Sequence, residues 1–315
     1  MRTWNTLTSF FAGAATADGA PFRGSAVALG FFDGVHLGHR AVLNTAVCYA
    51  GAYGLTPAAF TFSLPAGNTL KGGRILSNAQ KQARIGRQGI AYCLEPPFES
   101  FCALSPEDFV QTILVGCLGA KAVFCGDNFT FGAHAAGDVA LLRALCAQAG
   151  ITVQVVAMAQ YAGQTVSSTR IRAALEEGRL ADANAMLGDP YAIDWPVAHG
   201  QQIGSTKLGA PTINQHYPAG TLMPASGVYI TRARVGGQWY AGATGLGRRP
   251  TITDEGAVTC ETFLPDYHGP ALYGTAPLLE FHRYLEPVRR YNSLEELKAC
   301  IFDAAAKSRA YFAAL

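Results

Sequence analysis

Short apolar runs alternating with helix-period segments are the feature that most narrows the fold of this chain. Residues 25–30, 55–62, 90–94, 120–125 and 152–158 are apolar runs of strand length. Helical patterns lie between them. Residues 39–50 put Val42, Ala46 and Ala50 on one face. Ser105-Pro106-Glu107-Asp108 reads as a helix start: a hydroxyl cap, a proline in the first turn, then acids favoured by the helix dipole. Phe109, Ile113 and Cys117 continue that helix as a buried stripe. Strands alternating with helices imply a mainly parallel sheet covered on both faces, an α/β domain of Rossmann-like kind. Such sheets bind ligands beyond the carboxyl ends of their strands, so the loops after Gly30 and Cys125 are where chemistry is expected.

The pattern changes near Gly188-Asp189-Pro190. Residues 228–235, then Gly236-Gly237, then residues 238–244 read as a hairpin with a two-residue turn. Residues 259–264 and 277–285 read as further strands. The expectation is a small antiparallel β-barrel. Ser293 and Glu296 form a capping box opening a final helix with Leu297, Ile301, Ala305 and Phe312 inward. The boundary is placed at 188, giving domains 1–188 and 189–315, in keeping with a chain of 315 residues.

Composition removes whole classes of function. Half of the residues are hydrophobic and 15% are charged, which excludes a disordered chain. Lys+Arg is 24 against Asp+Glu 22, so no polybasic face invites nucleic acid or a membrane surface. Residues 1–20 lack the apolar core of a signal peptide, and no apolar run is long enough for a membrane helix. The eight cysteines form no C-x-x-C pair and sit mostly in apolar runs, as small hydrophobes do. A reduced, cytoplasmic protein is expected; nothing in the sequence specifies an oligomeric state.

Residues 30–39, G-F-F-D-G-V-H-L-G-H, leave a strand and enter a helix. Gly34 and Gly38 let backbone approach a ligand, and a helix N-terminus suits phosphate. His36 and His39 share one face of a turn and can donate hydrogen bonds to phosphate oxygens. Capping or surface histidines, or one metal ligand, are the plain alternative. Ser167-Ser168-Thr169-Arg170-Ile171-Arg172 opens another helix with hydroxyls and cations, either a second phosphate cradle or a capped helix with solvated arginines. Gly126-Asp127-Asn128-Phe129-Thr130-Phe131-Gly132 follows a strand. Its polar pair and its aromatics suit a nucleotide, and it equally suits an ordinary turn.

In the second half, Gly204-Ser205-Thr206-Lys207-Leu208-Gly209-Ala210-Pro211-Thr212-Ile213-Asn214 is Gly-rich without fitting a P-loop. Thr212 and Asn214 fall on one side of an extended segment and offer the hard oxygens that suit Mg²⁺. The plain reading is a polar turn. Glu261 is a lone carboxylate in an apolar strand; it is either a base facing inward or a solvated side chain facing outward.

These motifs, in this order, resemble the bacterial bifunctional riboflavin kinase/FAD synthetase family over nearly the whole chain. F-D-G-V-H-L-G-H, N-F-T-F-G with Gly137-Asp138 following, and S-S-T-R-I-R are similar to its adenylyltransferase motifs. L-G-x-P-T-x-N, Gly227-Val228-Tyr229, Arg249-Pro250-Thr251, the Glu261-Thr262 strand and Leu272-Tyr273-Gly274 are similar to its kinase module. The resemblance implies that the first domain transfers AMP from ATP to FMN with release of pyrophosphate. Gly30, Phe32, Asp33, Gly34 and Gly38 would line the ATP pocket with Gly126 and Asn128. His36 and His39 would steady the phosphates, and Ser167, Ser168, Thr169 and Arg170 would hold the pyrophosphate. It implies that the second domain phosphorylates riboflavin, with Glu261 as base and Thr212 and Asn214 on Mg²⁺. Gly204, Lys207, Gly209 and Pro211 would belong to the loop over the ATP phosphates.

Four positions depart from the family pattern. Phe31 stands for an asparagine, Leu64 for a histidine, Gly245-Leu246-Gly247 for Asn-x-Gly, and Glu286 for an arginine. They leave two alternatives beside the bifunctional enzyme: a relative retaining one activity, and an inactive flavin-binding protein.

Overall fold

The computed structural model describes residues 1–7, 22–65, 72–198, 212–248, 258–289, 291 and 293–315. The chain divides into two compact units, Met1–Thr69 with Asn78–Ser167, and Leu70–Ser77 with Ser168–Leu315. The expected boundary at 188 lies inside the second unit, where helix α5 (Ser168–Glu176) packs on α6 (Leu180–Leu187) and α6 packs on the strands that follow. Among the described residues, no helix is long and apolar enough to cross a membrane.

In the first unit the elements are β1 (Arg2–Trp4), β2 (Ser25–Leu29), α1 (Leu37–Tyr53), β3 (Thr56–Phe60), α2 (Asn78–Arg87), β4 (Tyr92–Leu94), α3 from Pro106, β5 (Ala120–Gly126), α4 (Val139–Gln148) and β6 (Thr152–Val156). The sheet order is β1-β4-β3-β2-β5-β6, and every pairing is parallel. All residues of β2 are buried, as a central strand covered on both faces requires. The chain runs outward from β2 through β3 to β4, then returns to the other side of β2 for β5 and β6. Strand order therefore reverses between β2 and β5, and the loops beyond Leu29 and Gly126 open side by side at that switch point.

Local chemistry sets the helix starts. The Ser105 hydroxyl accepts from the Asp108 amide at 3.0 Å, with Pro106 in the first turn. After Asp108 the helix widens into a π-turn over Phe109–Cys117, with Phe109, Ile113 and Cys117 buried as the spacing predicts. Cys93, Cys117, Cys125, Cys146 and Cys260 are free and buried, and burial pushes the Cys93 and Cys260 thiols up to about 12, so they act as apolar filler.

The second unit carries β9 (Tyr191–Ile193), β10 (Val197–Ala198), β11 (Thr212–His216), β12 (Gly227–Val235), β13 (Gln238–Arg248), β14 (Val258–Phe263) and β15 (Leu278–Glu286). Two short strands, β7 (Gln160–Tyr161) and β8 (Gln164–Thr165), form a separate ribbon in the first unit. The large sheet runs β10-β11-β14-β13-β12-β15-β9, all antiparallel, and curves as a half-barrel. Val235 pairs with Gln238 across Gly236-Gly237, the two-residue turn read from sequence. Helix α7 (Leu294–Ala313) starts on Ser293, whose hydroxyl accepts from the Glu296 amide. Its Leu297, Ile301, Ala304 and Ala305 pack on Ala243, Phe263, Val228 and Leu285. On the opposite sheet face, Thr231, Thr244 and Thr262 form a fully buried line of hydroxyls with 2.7 Å spacings.

Candidate active sites

The first constellation sits on the β2 side of the switch point. Gly30 is required there: a Cβ would stand 2.9 Å from the Phe32 ring, which folds back over it. The next residues turn sharply. Phe32 (φ 54), Gly34 (φ 88) and Val35 (φ 44) all take left-handed backbone, which is costly for a β-branched valine. The Val35 amide closes this turn on the Phe32 carbonyl at 3.1 Å. Such strain persists only where surrounding structure imposes it, and it marks functional loops. Phe32, Asp33 and His36 are all buried.

His36 is the N-cap of α1. Its Nδ1 accepts from the His39 amide at 3.3 Å, so the ring proton is on Nε2. The plain reading of a capping histidine thus holds for Nδ1. The two imidazoles stack face to face, centroids 3.6 Å apart, with the Phe32 ring edge-on to His39. Burial, then the charges of His36 and Lys81, holds the His39 pKa well below 6.5. His39 is therefore neutral at physiological pH. Its Nδ1 is buried, with no hydrogen-bond partner among the described residues.

The other motifs divide between ligand-facing and structural roles. Asn128 is exposed just past the end of β5, in a turn closed by the Phe129 amide on the Gly126 carbonyl. Phe131, by contrast, is buried in the core and pairs with Gly137 through both backbone bonds, and Asp138 caps α4. The run after Asn128 is thus largely scaffold. The Val166 carbonyl lies 3.9 Å from where a Cβ on Gly38 would stand, so Ser167 follows a residue that passes the first turn of α1. Ser168, Thr169 and Arg170 begin α5 in the second unit. Arg172 is buried and donates to the Gly73 carbonyl at 2.9 Å, a structural bond.

The second constellation is a line across three strands. Asn214 on β11 pairs with Glu261 on β14, which pairs with Gly245 on β13. Cross-strand partners point to one face, so Asn214 and Glu261 are neighbours. Thr212, opposite Phe263, shares that face one pleat away. Alternation had left Glu261 open; it lies on the face of Phe263 and Ala243, which α7 covers further along, and it is half-buried. Gly204, Lys207, Gly209, Pro211 and Arg249-Pro250-Thr251 lie outside the described residues.

The departures acquire physical accounts. Leu64 is buried, so that position faces core and not phosphate. Gly245 stands opposite Glu261, and a Cβ there would meet nothing within 4 Å among the described residues. Glu286 accepts from the Cys300 thiol of α7 at 3.3 Å, and Tyr291 donates to the same sulfur at 3.1 Å. Glu286 thus anchors the final helix. Phe31 stacks on Phe62, centroids 4.6 Å apart, and its carbonyl accepts from Thr61 Oγ1 at 2.8 Å.

Sequence reasoning missed Lys81 and Glu95. Their ion pair (2.7 Å) is almost fully buried behind this loop. The available signal was a helix whose positions 80, 81, 84 and 85 share a face that is mostly polar.

The FAD synthetase family model matches residues 20–170 and the riboflavin kinase model matches residues 187–312. A bifunctional riboflavin kinase/FMN adenylyltransferase of Listeria monocytogenes is 35% identical over 297 residues, covering 92% of this chain and 93% of that one. The protein so described from Bacillus subtilis is 32% identical, again covering 92% and 93%. The chain belongs to this family. It is a bifunctional transferase of flavin cofactor biosynthesis, with FAD synthetase preceding riboflavin kinase. A solved structure described as a macrolide-efflux protein from Streptococcus pneumoniae superposes with a TM-score of 0.81 over 98% of each chain at 24% identity; that likeness concerns the fold alone.

Proposed function

We propose that the two reactions run at the two constellations, with domains 1–188 and 189–315 as the functional division. The observation that carries this reading is the cross-strand line Asn214–Glu261–Gly245, which sets a carboxylate beside an amide oxygen on one sheet face.

In the FAD synthetase domain, an FMN phosphate oxygen attacks the α-phosphorus of ATP, and pyrophosphate leaves. No proton transfer or covalent enzyme intermediate is needed, so alignment and charge stabilisation suffice. Gly30, Phe32, Asp33, Gly34 and Gly38 shape the ATP pocket with Gly126 and Asn128. His36 and neutral His39 steady the phosphate oxygens as negative charge develops. Ser167, Ser168, Thr169 and Arg170 hold the pyrophosphate at the start of α5.

In the kinase domain, Glu261 takes the proton of the ribityl hydroxyl as that oxygen attacks the γ-phosphorus and ADP leaves. The Thr212 hydroxyl and the Asn214 amide oxygen are hard donors on the face of Glu261, and they fit Mg²⁺. When bound, that ion would neutralise phosphate charge. Gly204, Lys207, Gly209 and Pro211 cover the phosphates of ATP. The enzyme acts in the cytoplasm on small molecules, without nucleic acid or membrane.

The test is a pair of variants, His36→Asn and His39→Asn, assayed with FMN and with riboflavin. Asparagine preserves a capping acceptor at position 36. FAD formation should fall by roughly a hundredfold or more while FMN formation is unchanged. Full FAD formation by the double variant would exclude the histidine pair from the chemistry.

A further inference from the structure

Helix α2 turns a polar face inward. Gln80, Lys81 and Arg84 are 8%, 4% and 5% exposed, beside fully buried Ile85. A helix in such a layer normally buries an apolar stripe, and lysine is almost never fully buried unless paired. The contacts of Lys81 supply the reason. Its Nζ pairs with Glu95 Oε1 at 2.7 Å and donates to the Phe62 carbonyl at 2.7 Å and to Thr61 Oγ1 at 3.3 Å. Thr61 Oγ1 passes the bond on to the Phe31 carbonyl at 2.8 Å. The same ammonium lies 5.3 Å from the centroid of the Phe31 ring. Gln82 holds the second oxygen of Glu95. One turn later, Arg84 reaches the Gly34 carbonyl at 3.5 Å, a long contact. Helix α2 therefore engages the loop between β2 and α1 on either side of the strained Phe32 turn, at the Phe31 carbonyl through Thr61 and at the Gly34 carbonyl directly.

A buried ion pair is a poor stabiliser, since a well-packed apolar pair of the same volume serves as well or better. Its value here is placement. Lys81 joins the ends of β3 and β4 to the loop that carries His36 and His39, and it keeps a fixed positive charge behind that pair. We propose that Lys81, oriented by Glu95, is a positioning residue for FAD synthesis, holding the residue 30–39 loop in register through Thr61 and Phe31. This inference rests on the reading of His36 and His39 as phosphate donors. Phe31 then acquires a role: its ring, stacked on Phe62, is the surface that Lys81 presses against.

The experiment uses the full chain with Lys81→Met, Lys81→Arg, the double variant Lys81→Met/Glu95→Leu, and Thr61→Val. The double variant removes both charges together, so it leaves no lone buried ion. A merely structural pair predicts that the double variant recovers both melting temperature and FAD synthesis. The positioning role predicts normal melting and normal riboflavin phosphorylation, with kcat for FAD synthesis down by roughly tenfold or more and KM for FMN little changed. Lys81→Arg should retain more of that kcat than Lys81→Met. Should the double variant fail to fold, Thr61→Val decides: it cuts the relay to Phe31 and leaves the ion pair, and it should still lower kcat severalfold. Recovery of kcat in a folded double variant, or an unchanged kcat in Thr61→Val, overturns the proposal. The histidine variants separate the two readings. If they keep full FAD synthesis, the phosphate-donor reading has failed. If they lose it while the double variant does not, only the role of Lys81 has failed.

Discussion

Replacing Glu261 by Gln should separate the two activities of the chain. The substitution keeps the volume and one carbonyl oxygen, and it removes only the basic carboxylate. The surroundings tolerate an isosteric change: Glu261 is half-buried, with Asn214 on β11 and Gly245 on β13 as its cross-strand neighbours. The stability change should therefore stay within about 1 kcal/mol. The chemical cost is larger. A positioned general base contributes about 10²–10⁴-fold, or roughly 2.7–5.4 kcal/mol of barrier. Riboflavin phosphorylation should fall by that factor in kcat with KM for riboflavin little changed. Conversion of supplied FMN to FAD should continue at the wild-type rate. Separate time courses with riboflavin and with FMN, resolved by chromatography, read both numbers from one preparation. Kinase kcat within about twofold of wild type would refute the assignment of Glu261 as base. Equal loss of both activities in a folded variant would refute the separation of sites.

Two further outcomes follow from buried groups. His39 is held neutral in the fold, so below about pH 6.5 the unfolded chain takes up a proton that the folded chain does not. Its contribution is fully present above that pH and is lost on acidification, at up to about 1.4 kcal/mol per pH unit. Urea midpoints of the wild type and of His39→Asn, measured from pH 7.5 to 5, should converge as the pH falls; parallel curves would show that His39 titrates normally. Thr244→Val removes the middle hydroxyl of the buried Thr231–Thr244–Thr262 line and should cost about 1–3 kcal/mol. A denaturation midpoint unchanged from wild type would show that the line contributes nothing to the kinase domain.

Much of this molecule was legible because local chemistry and global fold agree. The Ser105 and Ser293 caps, the Gly236-Gly237 turn and the apolar β2 run each required one structure, and each formed it. The parallel sheet followed from alternation, and its switch point indicated the loop with the histidines. Short elements were not legible. β1 has three residues and β10 has two, too few for a period to show. Asp138 illustrates a different limit: it follows the N-F-T-F-G motif in sequence, and the bond from the Leu141 amide shows it as the cap of α4. Lys81 and Glu95 escaped because their partnership joins α2 to the segment after β4 in space, and neither residue type is expected in a core. The face of Glu261 also waited on the packing of α7, since strand alternation defines two faces without naming which is covered.

The central claim is that both constellations are competent on one chain, and product analysis of the unaltered protein tests it most directly. The protein is incubated with ATP and Mg²⁺ and either riboflavin or FMN, and the flavins are separated at intervals. The account predicts FMN and then FAD from riboflavin, and FAD from FMN. Riboflavin that stops at FMN, with supplied FMN unchanged, would contradict the FAD synthetase site. Flavin retained without turnover in both incubations would contradict the account as a whole.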